Sequence, residues 1–201
     1  NTNEQDESLG LIKLNGKQLS YNNYNDIFAG LDILYSAKKI PTTVIIKHAN
    51  PCGVASDKSI LNSFIKSQAS DPISAFGGIV ACNYKINRNI ANIINKTFFE
   101  VILAKGFDSK ALKILKKKKN MRIIDISKYK QETNISIKMI NNSFLAQEKD
   151  EIIFKKQKLK FVTKQKPNRN ELKEIEFAFN VCKYVKSNAI VISKNFATIG
   201  I

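Results

Sequence analysis

Short runs of β-branched and other apolar residues alternate along this chain with amphipathic stretches. Four such runs predict buried strands, at 43–46 (TVII), 78–82 (GIVAC), 101–104 (VILA) and 122–126 (RIIDI). Apolar residues at helical spacing predict the helices that alternate with them, at 25–39, 59–70, 88–95 and 109–118. Continuous apolar strands separated by helices are typical of a sheet covered on both faces. We therefore predict an α/β fold whose sheet is covered on both faces.

The last third of the sequence is less regular. Residues 128–166 predict a hairpin-rich excursion within a single domain spanning 1–201, with strand-like pieces at 143–147 and 159–163. A helix is predicted to start within 167–170, with Asn170 as a candidate N-cap, and to run to about Val185. Two strands at 189–193 and 197–201 are expected to meet at a Lys194-Asn195 turn.

Composition narrows the class of protein. A chain of 201 residues with 43% hydrophobic content can bury one substantial core. No stretch approaches the roughly 18 apolar residues that cross a bilayer, and the polar start does not resemble a secretory signal. We therefore expect a soluble, cytoplasmic protein without a membrane partner. Cys52, Cys82 and Cys182 are scattered with no CxxC pair, which predicts free thiols and no cysteine zinc site.

A net charge of +16 indicates an anionic partner such as nucleic acid. Of the 33 basic residues, however, only Arg88, Arg122 and Arg169 are arginines. Specific readers of nucleic acid usually exploit the bidentate fork that arginine alone provides. We therefore expect no specific nucleic-acid partner. The alternative function that the charge suggests is a basic RNA-binding module.

Lys47 and His48 directly follow the first predicted strand, and His48 is the only histidine in the chain. The turn-forming residues at 50–53 (NPCG) are expected to bend the chain and leave both side chains at the strand tip. A neutral imidazole can accept a proton while an ammonium stabilises an oxyanion, as acyl or formyl transfer to a weak amine requires. The structural alternative is a surface lysine beside a histidine satisfied by backbone. One histidine and scattered cysteines do not support a metal site.

Two further segments adjoin predicted strands. In 70–78 (SDPISAFGG), Gly77 and Gly78 permit positive φ angles or a close approach of backbone to a ligand. They suit either a turn or a binding loop. In 183–189 the predicted helix gives way to a strand, and Asn188 could either cap the helix or orient a substrate amide.

Five segments together resemble one family. They are 20–23 (SYNN), 46–53 (IKHANPCG), 70–78 (SDPISAFGG), 186–189 (KSNA) and 198–201 (TIGI). In order and spacing they are similar to the N-terminal half of the transformylase domain in the bifunctional AICAR transformylase/IMP cyclohydrolase family. The resemblance covers nearly the whole chain. It implies a fold related to the cytidine deaminases, with α/β/α layers around a mostly buried mixed sheet and without their zinc.

The resemblance also implies a reaction. A formyl group would pass from 10-formyltetrahydrofolate, a co-substrate, to the 5-amino group of AICAR during purine (IMP) biosynthesis, in a homodimer. It implies that His48 is the proton acceptor, Lys47 the transition-state stabiliser and Asn188 a catalytic-site asparagine contacting the nucleotide. Gly77 and Glu100 fall where the family contacts AICAR, although some relatives have aspartate at the second position.

Parts of the family pattern are absent from this sequence. These are an arginine-containing segment upstream of Ser20, the cyclohydrolase domain, and the half-domain that holds much of the folate site. Each lost charge-assisted contact to a phosphorylated substrate costs about 1.5 to 3 kcal/mol. We therefore expect the 201-residue chain to be inactive in isolation. A decayed pseudoenzyme remains a further alternative.

Overall fold

The computed structural model describes residues 9–37, 40–131, 135–150, 154 and 159–201. These residues form ten strands and five helices. The strands are β1 (Ile12–Asn15), β2 (Thr42–Lys47), β3 (Asn50–Ser56), β4 (Ile79–Cys82), β5 (Val101–Ala104), β6 (Arg122–Asp125), β7 (Ile135–Ile140), β8 (Ser143–Glu148), β9 (Ile192–Lys194) and β10 (Ala197–Gly200). The helices are α1 (Tyr21–Ser36), α2 (Ile60–Ser70), α3 (Arg88–Ile94), α4 (Ser109–Leu115) and α5 (Arg169–Cys182).

Eight of the strands form one mixed sheet in the order β1-β6-β5-β4-β2-β3-β10-β9. The pairs β4–β5 and β5–β6 are parallel, and the other neighbours in this sheet are antiparallel. The parallel pairs are joined through α3 and α4, since parallel neighbours need a crossover connection. The prediction of an α/β fold with a mixed sheet is confirmed.

The core lies on both faces of this sheet. On one face, Ile27 and Leu31 of α1 and Val181 of α5 join a buried cluster with alternate residues of the central strands. On the other face, the corresponding cluster includes Phe64 of α2 and Ile90 of α3. Every residue of β4 and β5 is buried, which explains why these strands read as continuous apolar runs.

Helix ends follow their capping residues and correct several predicted bounds. The side chain of Ser20 caps α1, which starts at Tyr21 rather than at 25. Asn170 is not the N-cap of α5, because the Asn168 side chain accepts from the N–H groups of Asn170 and Glu171. That helix ends at Cys182 instead of near Val185. No helix in the described ranges is long and apolar enough to cross a membrane.

Several strand and turn predictions were wrong. Residues 50–53 do not form a turn but open β3, and the short strand β1 was not predicted at all. Residues 159–163 form no strand. The last hairpin turns at Asn195 and Phe196, one residue later than expected, and β9 is shorter than 189–193.

Strands β7 and β8 form a separate antiparallel hairpin within the 128–166 range. The register pairs Met139 with Phe144 and Ile137 with Ala146, so these side chains share one face. Every residue of both strands is exposed, including Met139 at 70% and Phe144 at 65%. The hairpin therefore presents an apolar face to its surroundings. β7 was not predicted from the sequence, whereas β8 matches the predicted 143–147 piece to within one residue.

Candidate active site

A two-residue turn carries His48 between β2 and β3. His48 has φ 55° and Ala49 has φ 54°, the pair of positive angles that marks a type I′ hairpin turn. Asparagine and glycine are the usual residues in such turns, and each other L-residue in this region costs about 1 to 2 kcal/mol. The local sequence therefore disfavours the conformation, and contacts from elsewhere must hold it.

Two other parts of the chain supply those contacts. The carboxylate of Asp26, on α1, accepts from the N–H of His48 at 3.2 Å and from the N–H of Ala49 at 2.6 Å. The Lys186 ammonium donates to the His48 carbonyl at 2.7 Å, and the Lys186 N–H donates to Asn50 Oδ1 at 3.1 Å. The turn is thus bound by a helix on one side and by the segment after α5 on the other.

Lys47 and His48 line a cleft of about 440 Å³. Its lining is drawn from three distant parts of the sequence and consists of Lys47, His48, Asn50, Pro51, Cys52, Ser70, Asp71, Pro72, Ser74, Gly200 and Ile201. The Asn-Pro-Cys stretch lines the cleft as the start of β3, not as the predicted turn. The structure therefore places the predicted pair in one concave site with hydroxyl, thiol and carboxylate groups.

Lys47 reaches across the end of the sheet. Its ammonium donates to the Phe76 carbonyl at 2.9 Å, and the Phe76 ring packs on Phe98 with centroids 5.4 Å apart. Gly77, at φ 75°, donates its N–H to the Phe98 carbonyl at 2.8 Å. Glycine adopts such an angle without steric cost. The lysine therefore lies against the loop that contains Gly77.

Glu100 lies at the same end of the sheet, immediately before β5. Its N–H donates to the Gly78 carbonyl at 3.0 Å, and its Oε2 accepts from Asn23 Nδ2 at 3.1 Å. Arg122 lies 3.7 Å from the same oxygen. Neither Gly77 nor Glu100 is among the described residues that line the cleft. The two flank the Lys47 side of the site without sharing that cavity with His48.

Asn188 is exposed and lies two residues beyond Lys186, which binds the turn. It too is outside the described lining of the cleft. Of the five predicted site residues, the structure places Lys47 and His48 together, Gly77 and Glu100 along one end of the sheet, and Asn188 at the periphery.

The ionisable groups of the cleft differ in charge state. Burial, together with a smaller contribution from the nearby Asp71 carboxylate, raises the pKa of the Cys52 thiol to about 11. Hydrogen bonds from Ser74 lower the pKa of Asp71, whose Oδ1 accepts the Ser74 N–H at 2.9 Å. The site therefore offers a carboxylate and a neutral thiol beside Lys47 and His48.

The three cysteines are free, as predicted. Cys82 is fully buried, whereas Cys52 and Cys182 are partly exposed. Within the described ranges, no cluster of three or more histidine, cysteine, aspartate or glutamate side chains is placed to hold a metal ion.

Comparison with known proteins places the chain in a family. The model of the AICARFT/IMPCHase bienzyme family matches residues 1–201. The chain belongs to this family. The resemblance stated from the five sequence segments is thereby confirmed.

Individual members of the bienzyme family are also similar. The bifunctional purine biosynthesis protein PurH of Thermoanaerobacter sp. (strain X514) is 45% identical over 189 residues, which cover 94% of this chain and 37% of that protein. PurH of Caldicellulosiruptor bescii is 43% identical over 199 residues, covering 98% and 38% respectively. PurH of Buchnera aphidicola (strain Tuc7) is 44% identical over 191 residues, covering 94% and 36%. The chain therefore spans little more than a third of the length of these bienzyme relatives.

Sequence reasoning missed Asp26 and Lys186, which bind the turn that carries His48. Asp26 lies 22 residues before His48 on an ordinary amphipathic helix, so nothing in its local sequence indicates a contact with the turn. Lys186 belongs to the 186–189 segment that carried the resemblance, but it received no role. Histidine and alanine are unusual residues for a hairpin turn and would indicate that other residues hold it, but the sequence alone does not show that a hairpin is present.

Proposed function

We propose that this chain forms the proton-transfer part of an AICAR formyltransferase site in purine (IMP) biosynthesis. The reaction transfers a formyl group from 10-formyltetrahydrofolate to the 5-amino group of AICAR. The observation that carries the proposal is that Lys47, at the end of β2, and His48, on the held two-residue turn, line one cleft. Family membership supports the choice of substrates.

The proposed chemistry assigns one task to each side chain. The AICAR amine attacks the formyl carbon, and a neutral His48 imidazole accepts the amine proton as the new C–N bond forms. The Lys47 ammonium stabilises the oxyanion that develops on the formyl oxygen. Collapse of the intermediate breaks the bond to the folate nitrogen, and that nitrogen takes up the proton held by His48. The formamide and tetrahydrofolate then leave, and no metal takes part.

Substrate contacts are assigned to the remaining predicted residues. Gly77, Glu100 and Asn188 would contact AICAR. The carboxylate of Glu100 is already oriented by Asn23 and Arg122, which supports a role in recognising a donor group of the substrate. The substrate would then lie along the end of the sheet, from Glu100 past Lys47 to His48.

The proposal also covers the location, oligomeric state, fold and partners of the protein. We propose a cytoplasmic homodimer with a fold related to the cytidine deaminases, acting on small molecules without a specific nucleic-acid partner. IMP cyclohydrolase activity would reside in another part of the same polypeptide, consistent with relatives described as bifunctional.

The test is formyl transfer to AICAR by the full-length polypeptide that contains this chain. His48→Ala should lower kcat by about 10²- to 10⁴-fold, the usual contribution of a positioned general base. Lys47→Met should also lower kcat, whereas Lys85→Met is the matched control because Lys85 pairs with Asp108 outside the cleft. Full activity of His48→Ala would rule out the proposed role. The 201-residue chain alone is expected to be inactive, and turnover by it would contradict that expectation.

A further inference from the structure

The geometry points to Asp26 as a positioning residue that fixes the backbone of His48, with Lys186 as its counterpart on the other side of the turn. This inference rests on the proposed function, because it assigns a role in the same reaction. Both side chains bind the backbone of the turn itself, so each is assigned a role that acts through His48 rather than on a substrate.

The turn depends on support from outside itself. A type I′ turn is normally stabilised by the residues that occupy it, with glycine or asparagine accepting the positive φ angles. Here histidine and alanine occupy both central positions. One carboxylate oxygen of Asp26 faces each of the two turn N–H groups. Charge-assisted bonds of this kind are stronger than neutral ones, which suits them to hold a disfavoured backbone.

Asp26 links the turn to a helix that is packed on the sheet. The next residue, Ile27, is fully buried in the cluster that joins α1 to β2 and β4. At the other end, Lys186 holds the His48 carbonyl and the Asn50 side chain. The peptide groups on both sides of His48 are thus fixed while its side chain remains exposed at the cleft.

Loss of this support should affect turnover more than binding. A displacement of about 1 Å in a reacting group can cost about 100-fold in rate. We therefore expect Asp26→Ala to lower kcat by about 10- to 100-fold while the KM for either substrate changes by less than about twofold. Asp26→Asn keeps one acceptor oxygen, so its kcat should lie between that of Asp26→Ala and that of the unchanged protein. Lys186→Met should also lower kcat at nearly constant KM, but by a smaller factor than Asp26→Ala. Lys186→Arg keeps the positive charge and should retain most of the kcat.

A second substitution separates positioning from a general structural role. Glycine adopts a positive φ without the steric cost that alanine incurs. Ala49→Gly should therefore make the turn less dependent on Asp26, and the double variant Asp26→Ala/Ala49→Gly should recover at least about tenfold in kcat over Asp26→Ala. If Asp26 merely stabilised α1, a glycine at position 49 would rescue nothing.

The experiment measures kcat and both KM values of these variants in the full-length polypeptide. Asp32→Ala is the matched control, since it removes an α1 carboxylate that pairs with Lys149 instead of the turn. If His48→Ala retains activity, the proposed function fails. If His48→Ala is inactive but Asp26→Ala and Lys186→Met keep full kcat, or Ala49→Gly rescues nothing, the positioning role alone is overturned. Because Lys186 is exposed, its variant keeps the test informative even if Asp26→Ala does not fold.

Discussion

Gly53 in β3 lies against the backbone of Ser67 in α2. The Ser67 hydroxyl donates to the Gly53 carbonyl at 2.9 Å, and a Cβ added at Gly53 would overlap the Ser67 carbonyl oxygen. Strand and helix therefore meet backbone to backbone. This close contact brings Cys52, which precedes Gly53 in the strand, and Ser70, which follows Ser67 in the helix, into the lining of the same cleft.

We predict that Gly53→Ala lowers the free energy of unfolding by at least about 2 kcal/mol, because overpacking against backbone cannot be relieved by a rotamer change. Gly200→Ala is the control, since its added Cβ would lie 3.8 Å from Ile192, an ordinary contact. Urea titrations of both variants give the comparison. Equal stability of the two would show that β3 and α2 can separate without cost.

A buried hydroxyl network is the basis of the second prediction. Thr43 Oγ1 lies 2.8 Å from Ser63 Oγ and 2.6 Å from Tyr84 Oη. Tyr84→Phe removes one bond and should cost about 1 kcal/mol. Thr43→Val removes both bonds and should cost about 1 to 3 kcal/mol, with Ser63 keeping only its bond to the Ala55 carbonyl at 3.0 Å. Denaturant midpoints of the two variants and of their double variant measure the difference. A Thr43→Val variant as stable as Tyr84→Phe would contradict the network.

The cleft thiol is predicted to react slowly. Burial raises the pKa of Cys52 to about 11 from an ordinary 9.0, so its thiolate fraction at pH 8 is reduced about 100-fold. Iodoacetamide should label Cys52 about 100-fold more slowly than it labels a short cysteine peptide. Peptide mapping of samples taken over time measures the rate at Cys52. Because the thiolate is the reactive form, the rate should rise with pH until about 11. A rate that levels off below pH 9 would contradict the raised pKa.

Asn23 joins the start of α1 to Glu100. Its Oδ1 accepts the Ser20 N–H at 3.1 Å, and its Nδ2 donates to Glu100. Loss of a capping side chain costs about 0.5 to 2 kcal/mol. We expect Asn23→Ala to exceed Ser20→Ala in this cost, because the former also leaves Glu100 with one partner fewer. Thermal unfolding of the two variants checks the order, and the reverse order would contradict it.

Strands buried on both faces were predictable because they form unbroken apolar runs, as in β2, β4 and β5. β1 is only four residues long and half-buried throughout, so it carries neither a run nor an alternation. The error at 50–53 has a physical cause. The register with β2 shifts between Ile45 and Ile46, so Ile46 pairs with Pro51 and Cys52 is left over in a bulge. Proline is tolerated beside such an irregularity.

The site was predictable to a similar degree. Lys47 and His48 were identified because both follow a clear strand, and the structure places them together. The positive φ angles of His48 and Ala49 were not predictable, since neither residue type favours them and the cause lies in Asp26 and Lys186. Contacts between residues far apart in sequence leave no local pattern. Neither Glu100 nor Asn188 shares the His48 cleft, so their proposed roles depend on family membership.

The pairing of β3 with β10 has a consequence for the order of folding. Ala55 pairs with Ala197, and the Thr198 hydroxyl accepts the Val54 N–H, so β3 is completed by residues more than 140 positions later. Contacts of such long sequence separation close slowly, because the loop entropy must be lost first. During synthesis, Lys47 and His48 emerge long before Gly200 and Ile201. A nascent chain therefore carries Lys47 and His48 beside an open edge of β3, and the cleft gains its Gly200 and Ile201 lining only after β10 has been made.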